Sequence, residues 1–131
     1  LLPYALCIFS TKKDIDFEES DHVVICGCVP FAEMLKESLD MLWGENSYEV
    51  VIRINCEGSE DSGIYAFHKV FKEQFNVIFG SLKDVGELKG ESEMEALWDF
   101  IAKNGLKFVP FSPLYSTWKD ASREIVDILE Q

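Results

Sequence analysis

Residues 22–54, HVVICGCVPFAEMLKESLDMLWGENSYEVVIRI, decide the predicted fold because they contain a strand, a helix and a second strand in turn. The apolar run 22–26 ends at Gly27 and is typical of a parallel strand buried on both faces. Pro30 fits the first turn of the helix that follows. Residues 48–54 are rich in Val and Ile and predict the next strand. One face of the intervening helix would carry apolar side chains at helical spacing, namely Phe31, Leu35, Leu39 and Leu42.

The rest of the chain repeats this alternation. Short apolar runs at 4–9, 76–79 and 106–111 predict strands, and apolar residues at helical spacing predict helices between and after them. The helix near Ser92 has the capping-box form, with Glu95 three residues later. We therefore predict a single α/β domain over residues 1–131. Its open, mostly parallel sheet would have about five strands, helices on both faces and a Rossmann-like or flavodoxin-like winding.

Composition excludes several classes of partner. The chain has 131 residues and a formal net charge of -12, which argues against binding to nucleic acid and against adhesion to an anionic membrane. No apolar run approaches the ~20 residues that a membrane-spanning helix needs. Four cysteines lie in or beside strand-like runs and predict reduced thiols in the cytoplasm. The chain begins at Leu1, which is compatible with excision from a larger protein.

Ligands of open α/β sheets bind beyond the carboxyl ends of the strands. Gly27 stands where a dinucleotide-binding glycine would stand, but the residues after it lack the further glycines of that fingerprint. We therefore expect neither NAD nor FAD and no resident cofactor, and the expected ligand is a small molecule or a cation. The candidate binding residues at the strand ends are Gly27, Cys28, Asn55, Gly80, Ser81 and Ser112.

Two further candidates arise from cysteine and from acidic residues. Cys28 lies at the predicted start of a helix, a position that raises thiol reactivity, and suggests a redox sensor or a thiol-dependent enzyme. A looser cation site could form from carboxylates that would share one face of an extended stretch, namely Asp14, Asp16 and Glu18. A calcium hand is excluded because its sixth and twelfth positions would hold Glu19 and Ile25 rather than Gly and Glu.

Part of the chain resembles the RCK domains, which regulate potassium conductance in channels of the Slo type. Residues 22–27 with Val29 and Phe31 resemble the opening strand and turn of the family, and residues 71–88 resemble its second helix, third strand and following turn. Residues 109–129 are similar to the unit that follows, whereas residues 91–105 insert a helix that the family usually lacks. The resemblance implies a cytosolic module that assembles into a ring and responds to a bound cation or nucleotide. It carries over no ligand residue.

The function predicted from the sequence is a non-enzymatic regulatory or sensing domain that binds a small ligand or a cation and assembles with other subunits. The strand ends carry Gly, Cys, Asn and Ser, without a recognisable nucleophile and base. A protein–protein interaction module, acting through an acidic or an apolar surface, is one alternative. Thiol chemistry at Cys28 is the other.

Overall fold

The computed structural model describes residues 27–54 and 58–110, together with the backbone of residues 4–7. Strands and helices alternate through these residues, as the sequence predicts. The strands are β1 (Tyr4–Cys7), β2 (Glu49–Ile54), β3 (Phe75–Gly80) and β4 (Lys107–Pro110). The helices are α1 (Cys28–Trp43), α2 (Glu60–Phe71), α3 (Lys83–Lys89) and α4 (Glu91–Lys103), and one 3-10 turn (Lys72–Gln74) joins α2 to β3.

The four described strands form one parallel sheet in the order β1-β2-β3-β4. The predicted α/β class with an open parallel sheet is thereby confirmed. The described order never reverses direction, whereas Rossmann-like and flavodoxin-like windings reverse at a switch point. The predicted strand at 22–26 and the predicted helix after residue 115 lie outside the described residues. The five-strand winding therefore stays a prediction.

The described helices share one hydrophobic core on one face of this sheet. Right-handed crossovers that all step in the same direction place their helices on the same side, so a sequential strand order predicts this arrangement. Each of the four helices contributes to the same buried cluster, and β2 contributes only alternate residues. Helices on both faces, as the sequence predicts, are not found among the described elements. The cluster includes Ala32, Leu39, Val50, Ile52, Ile54, Ile64, Phe67, Phe71, Phe75, Ile78, Val85, Leu97 and Ile101.

A bulge aligns β3 with this core. Val50 is paired with Phe75 and Val51 with Val77, so Asn76 is the additional residue. Because of the bulge, Phe75 and Ile78 belong to the same core although they are three residues apart. Val51 alternates with the core residues of β2 and is buried on the opposite side of the sheet. Burial on both sides explains why the sequence of β2 is almost continuously apolar.

The junction of α3 and α4 differs from the predicted capping box. Gly90 ends α3, where its N–H donates to the carbonyl of Gly86, and its own carbonyl accepts the N–H of Met94 in α4. Its φ of +98° is one that L side chains rarely adopt. The helix therefore begins at Glu91, and no side chain makes a capping hydrogen bond there. Gly90 thus precedes the first turn of α4, whereas the sequence predicts that Ser92 caps this helix.

Tyr48 ties the end of α1 to the start of β2. Its buried hydroxyl donates to Oδ1 of Asp40 at 2.6 Å, and Nζ of Lys36 donates to Oδ2 of the same carboxylate at 2.7 Å. The hydrogen bond from Lys36, followed by that from Tyr48, holds the pKa of Asp40 below its ordinary value. Burial, reinforced by the bond to Asp40, raises the pKa of Tyr48 well above its ordinary value. Asp40 is thus held in its charged form by two donors.

We expect Tyr48→Phe to lower the free energy of unfolding at pH 7 by roughly 1–2 kcal/mol, because Asp40 loses a charge-assisted hydrogen bond. The pKa of Asp40 is depressed in the folded state. The stabilisation is therefore fully present above the carboxyl's unfolded pKa and is lost as the pH falls through the folded value. The difference between variant and wild type should narrow below about pH 4 in urea titrations.

Tyr65→Phe is the matched control for this prediction. The hydroxyl of Tyr65 makes no hydrogen bond with another described residue, although its ring packs edge-on against Phe100 at 4.7 Å. Its replacement should change the free energy of unfolding by less than about 0.5 kcal/mol. A Tyr48 variant that is no less stable than the Tyr65 variant at pH 7 would show that the bond to Asp40 contributes nothing.

Candidate ligand groove at the carboxyl edge of the sheet

Gly80 closes β3 at the carboxyl edge of the sheet, where the sequence places a binding residue. It is paired with Ile54 of β2. A Cβ atom at Gly80 would lie 2.4 Å from the carbonyl oxygen of Ile54 and 3.0 Å from its Cγ2. The position therefore admits no side chain, because the two strands approach each other too closely. Close packing of β2 against β3 accounts for this glycine, whether or not a ligand approaches it.

A groove opens beside Gly80, between the end of β3, the end of β4 and the side of α4. Its volume is about 430 Å³ and its walls are mostly apolar. Since it lies at the carboxyl end of parallel strands, it occupies the place where ligands of open α/β sheets bind. The residues that line it are Gly80, Ser81, Leu82, Lys83, Met94, Trp98, Phe108 and Pro110.

Two aromatic rings form one wall of this groove. Trp98 of α4 lies edge-on to Phe108 of β4, with ring centroids 5.1 Å apart and an interplanar angle of 87°. Trp98 is 42% exposed although it lies on the apolar side of its helix. An exposed indole offers a flat surface for stacking and an N–H donor at its edge. The ring is thus presented to the groove with part of its surface uncovered.

Ser81 and Lys83 supply the polar groups of the groove. Ser81 follows β3 directly and is half-buried, and Lys83 is the exposed first residue of α3. A hydroxyl can donate or accept a hydrogen bond, and an ammonium attracts an anion. Together with Trp98, these groups suit a planar molecule that carries a negative charge.

A second polar feature lies at the start of α2. Glu60 is fully buried, and its Oε2 accepts the N–H of Gly58 at 2.8 Å. Its Oε1 has no hydrogen-bond partner in the described part of the chain. The adjacent Asp61 is also buried and pairs with Lys89 of α3, with Nζ and Oδ1 2.6 Å apart. This ion pair joins α2 to α3.

Gly27 and Cys28 begin α1 and do not line this groove. Gly27 has a φ of -69° and a ψ of 161°, which any residue can adopt, and its carbonyl accepts the N–H of Phe31 at 3.0 Å. A Cβ atom there would make only an ordinary contact with Pro30 at 3.4 Å. Cys28 is half-buried. Neither the backbone conformation of Gly27 nor the described atoms around it require glycine.

Of the six binding residues predicted from the sequence, Gly80 and Ser81 come together in the groove. Asn55 and Ser112 lie outside the described residues. The weak metal candidates Asp14, Asp16 and Glu18 lie outside them as well. Within residues 27–54 and 58–110, no three His, Cys, Asp or Glu side chains are arranged to hold a metal ion.

Sequence reasoning missed the other six lining residues, which are Leu82, Lys83, Met94, Trp98, Phe108 and Pro110. Met94 and Trp98 occur on the apolar stripe of their helix, where the usual expectation is a buried position. The exposure of Trp98 depends on how α4 packs against β4, where Trp98 contacts Phe108, and the sequence does not show that packing. Lys83 carried a weak signal, since it follows a strand end by three residues.

Comparisons with known proteins identified no relative. The chain matches no protein-family model, no curated protein and no solved structure. None of the helices in the described ranges has both the length and the apolarity required to cross a bilayer.

Proposed function

We propose that this chain is a non-enzymatic regulatory domain that binds a planar, negatively charged small molecule, of which a nucleotide is the leading example, in the groove beside Gly80. The observation that carries the proposal is Trp98, whose half-exposed indole stands edge-on to Phe108 in a groove that also contains Lys83. The aromatic surface would stack on the planar part of the ligand, and the ammonium would neutralise its charge.

The location and size of the groove support binding of a small molecule. Its volume of about 430 Å³ falls within the range of ~300–1,000 Å³ that is usual for ligand sites. Mostly apolar walls with a few polar groups are also usual, because the walls provide affinity and the polar groups fix orientation. Ser81 and Lys83 have this second role in the proposal.

The resemblance to RCK domains supports a regulatory role within an assembly of subunits. It also favours a Rossmann-like sheet of five strands, to which residues 22–26 would contribute a strand. A cytoplasmic location and the absence of a nucleic-acid partner belong to the same proposal and agree with the net charge of -12. Ligand binding would then alter how neighbouring subunits contact one another.

A nucleotide panel tests the proposal through melting temperature and equilibrium binding. ATP, ADP and GTP are added separately to the wild-type chain, and a ligand at 100 times its Kd should stabilise the fold by about 2.7 kcal/mol. Trp98→Ala should weaken binding of the stabilising nucleotide at least tenfold, because the stacking surface is lost. Lys83→Gln should weaken it several-fold.

Trp43→Ala is the matched control, since Trp43 is 43% exposed, almost as much as Trp98, but lies at the end of α1. It should bind the nucleotide as the wild type does. Equal losses in the two tryptophan variants would place the ligand elsewhere and reject the groove. If no nucleotide raised the melting temperature of the wild type, the nucleotide proposal would fail.

A further inference from the structure

One side of α1 exposes large apolar side chains. Met34, Met41 and Leu42 are 51%, 82% and 72% exposed. Met34 and Met41 are seven residues apart and lie on the same side of the helix, and Leu42 follows Met41 about 100° around it. Ala32 and Leu39 occupy the core-facing side of the same helix and are buried. We call Met34, Met41 and Leu42 the methionine stripe.

The exposure of Leu42 corrects the sequence prediction, in which it faced the core with Leu39. The two residues are three positions apart, which is about 60° short of a full turn. The core side of α1 is centred on Ala32 and Leu39, so Leu42 is rotated out of it. Phe31 and Leu35, which lie within about 20° of Leu42 around the helix, are half-buried. The apolar surface of α1 is thus wider than its core contact requires.

A groove between α1 and α2 runs beside this stripe and shares Met41 with it. Its volume is about 640 Å³, and its only residue from α2 is Val70. Acidic side chains dominate the α1 side of the groove. The lining residues are Glu33, Lys36, Glu37, Asp40, Met41, Glu45 and Val70.

Most carboxylates of this groove have no ion-pair partner among the described residues. Lys36 pairs with Asp40 at 2.7 Å, and Asp40 also accepts the hydroxyl of Tyr48. The other three carboxylates make no ion pair with any residue that the structure describes; they are Glu33, Glu37 and Glu45. An apolar stripe beside unpaired carboxylates is complementary to a segment with one apolar and one basic face.

We propose that the methionine stripe and the adjacent acidic groove dock a basic amphipathic helix of a partner protein. Its apolar face would cover Met34, Met41 and Leu42, and its Lys and Arg side chains would pair with the carboxylates of the groove. Unbranched Met side chains adapt to different apolar surfaces. An amphipathic helix that binds in a groove contacts it through apolar residues at positions i, i+3, i+4 and i+7.

The negative charge of the groove favours a basic helix over a second copy of the chain and over an anionic membrane. A second copy of the chain would bring the same negative charge, -12 in total, against the same acidic groove. An anionic membrane would be repelled for the same reason. The surface lies on α1, and none of its residues lines the ligand groove beside Gly80, so it can be tested independently of the proposed function.

The probe is a fluorescein-labelled 18-residue peptide of Leu and Lys, in which Leu recurs every three or four residues. Binding to the wild-type chain is followed by fluorescence anisotropy at low and high salt. Two control peptides accompany it, one with the same composition in scrambled order and one with Glu in place of Lys. We expect saturable binding of the first peptide alone, weakened by salt.

Variants then locate the site. Met41→Ser combined with Leu42→Ser should weaken binding at least tenfold, and Leu88→Ser, which alters an equally exposed apolar residue (69%) on α3, should leave it unchanged. The charge test removes three carboxylates, in E33Q, E37Q and E45Q together, and should weaken binding at least fivefold. Its control removes the same charge on α3 and α4, in E87Q, E91Q and E95Q together.

Each possible result either supports the docking proposal or overturns it. Loss of binding in the α1 variants, with normal binding in the controls, supports the proposal. Equal weakening in both charge variants would mean that net charge alone attracts the peptide and would overturn it. So would sedimentation of the wild type as a dimer that Met41→Ser and Leu42→Ser together convert to a monomer, because the stripe would then be covered by a second copy. Absence of saturable binding to the wild type would also overturn it.

Discussion

Replacement of Gly80 by alanine is expected to lower the free energy of unfolding by about 3 kcal/mol. The new methyl group would lie 2.4 Å from the carbonyl oxygen of Ile54, well inside van der Waals contact. That oxygen belongs to the backbone of the neighbouring strand, so it cannot move aside without disturbing the pairing of β2 with β3. Chemical denaturation followed by circular dichroism measures the loss.

Gly86→Ala is the control, because it adds the same methyl group inside α3. There the nearest atom would be the terminal methyl of Met94 at 3.3 Å, which can move. Alanine also favours a helix over glycine by about 1 kcal/mol. We therefore expect Gly86→Ala to be neutral or slightly stabilising. A Gly80 variant as stable as the Gly86 variant would refute the close approach of the strands.

Phe67→Ala should cost about 4 kcal/mol of unfolding free energy. Phe67 is fully buried at the centre of the core. It stacks on Phe71 with centroids 5.3 Å apart, and Phe75 and Phe31 approach its ring at 6.0 and 6.4 Å. Truncation would leave a cavity between α2, β3 and α1 and would remove three ring contacts at once. The measurement is again the free energy of unfolding in urea.

Phe67→Leu separates loss of volume from loss of the ring. Leucine refills most of the space, so this variant should lose less than half as much stability as Phe67→Ala. A loss below about 1 kcal/mol for Phe67→Ala would contradict the placement of this ring in the core. Comparable losses for the two variants would show that the aromatic contacts, and not the filled volume, hold α2 to the sheet.

The sequence predicts the order of elements well because the strands and helices have distinct patterns. Residues 48–54 are rich in β-branched residues and correspond to β2, which begins one residue later. The predicted strand at 76–79 falls within β3. The bulge at Asn76 could not be predicted, because it depends on how β3 is paired with β2. β3 begins at Phe75, one residue before the predicted strand.

The candidate site was predicted only in position. The rule that ligands bind at the carboxyl ends of parallel strands selects Gly80 and Ser81, and both residues line a groove. Trp98 and Leu42 follow an apolar pattern that does not distinguish a core contact from an exposed edge. The exposure of both residues depends on how their helix is rotated and placed against the sheet. A helical period in the sequence does not determine that rotation to better than some tens of degrees.

The sequential order of the described strands has a consequence for folding. β2, β3 and β4 lie side by side in the order in which the ribosome makes them. One helix, α2, and a 3-10 turn separate β2 from β3, and two helices, α3 and α4, separate β3 from β4. Because loop-closure entropy grows slowly with loop length, the entropic costs of the two pairings are similar. The bulged pair of β2 and β3 can therefore act as a template, and β4 can add to its open edge without displacing a strand that is already paired.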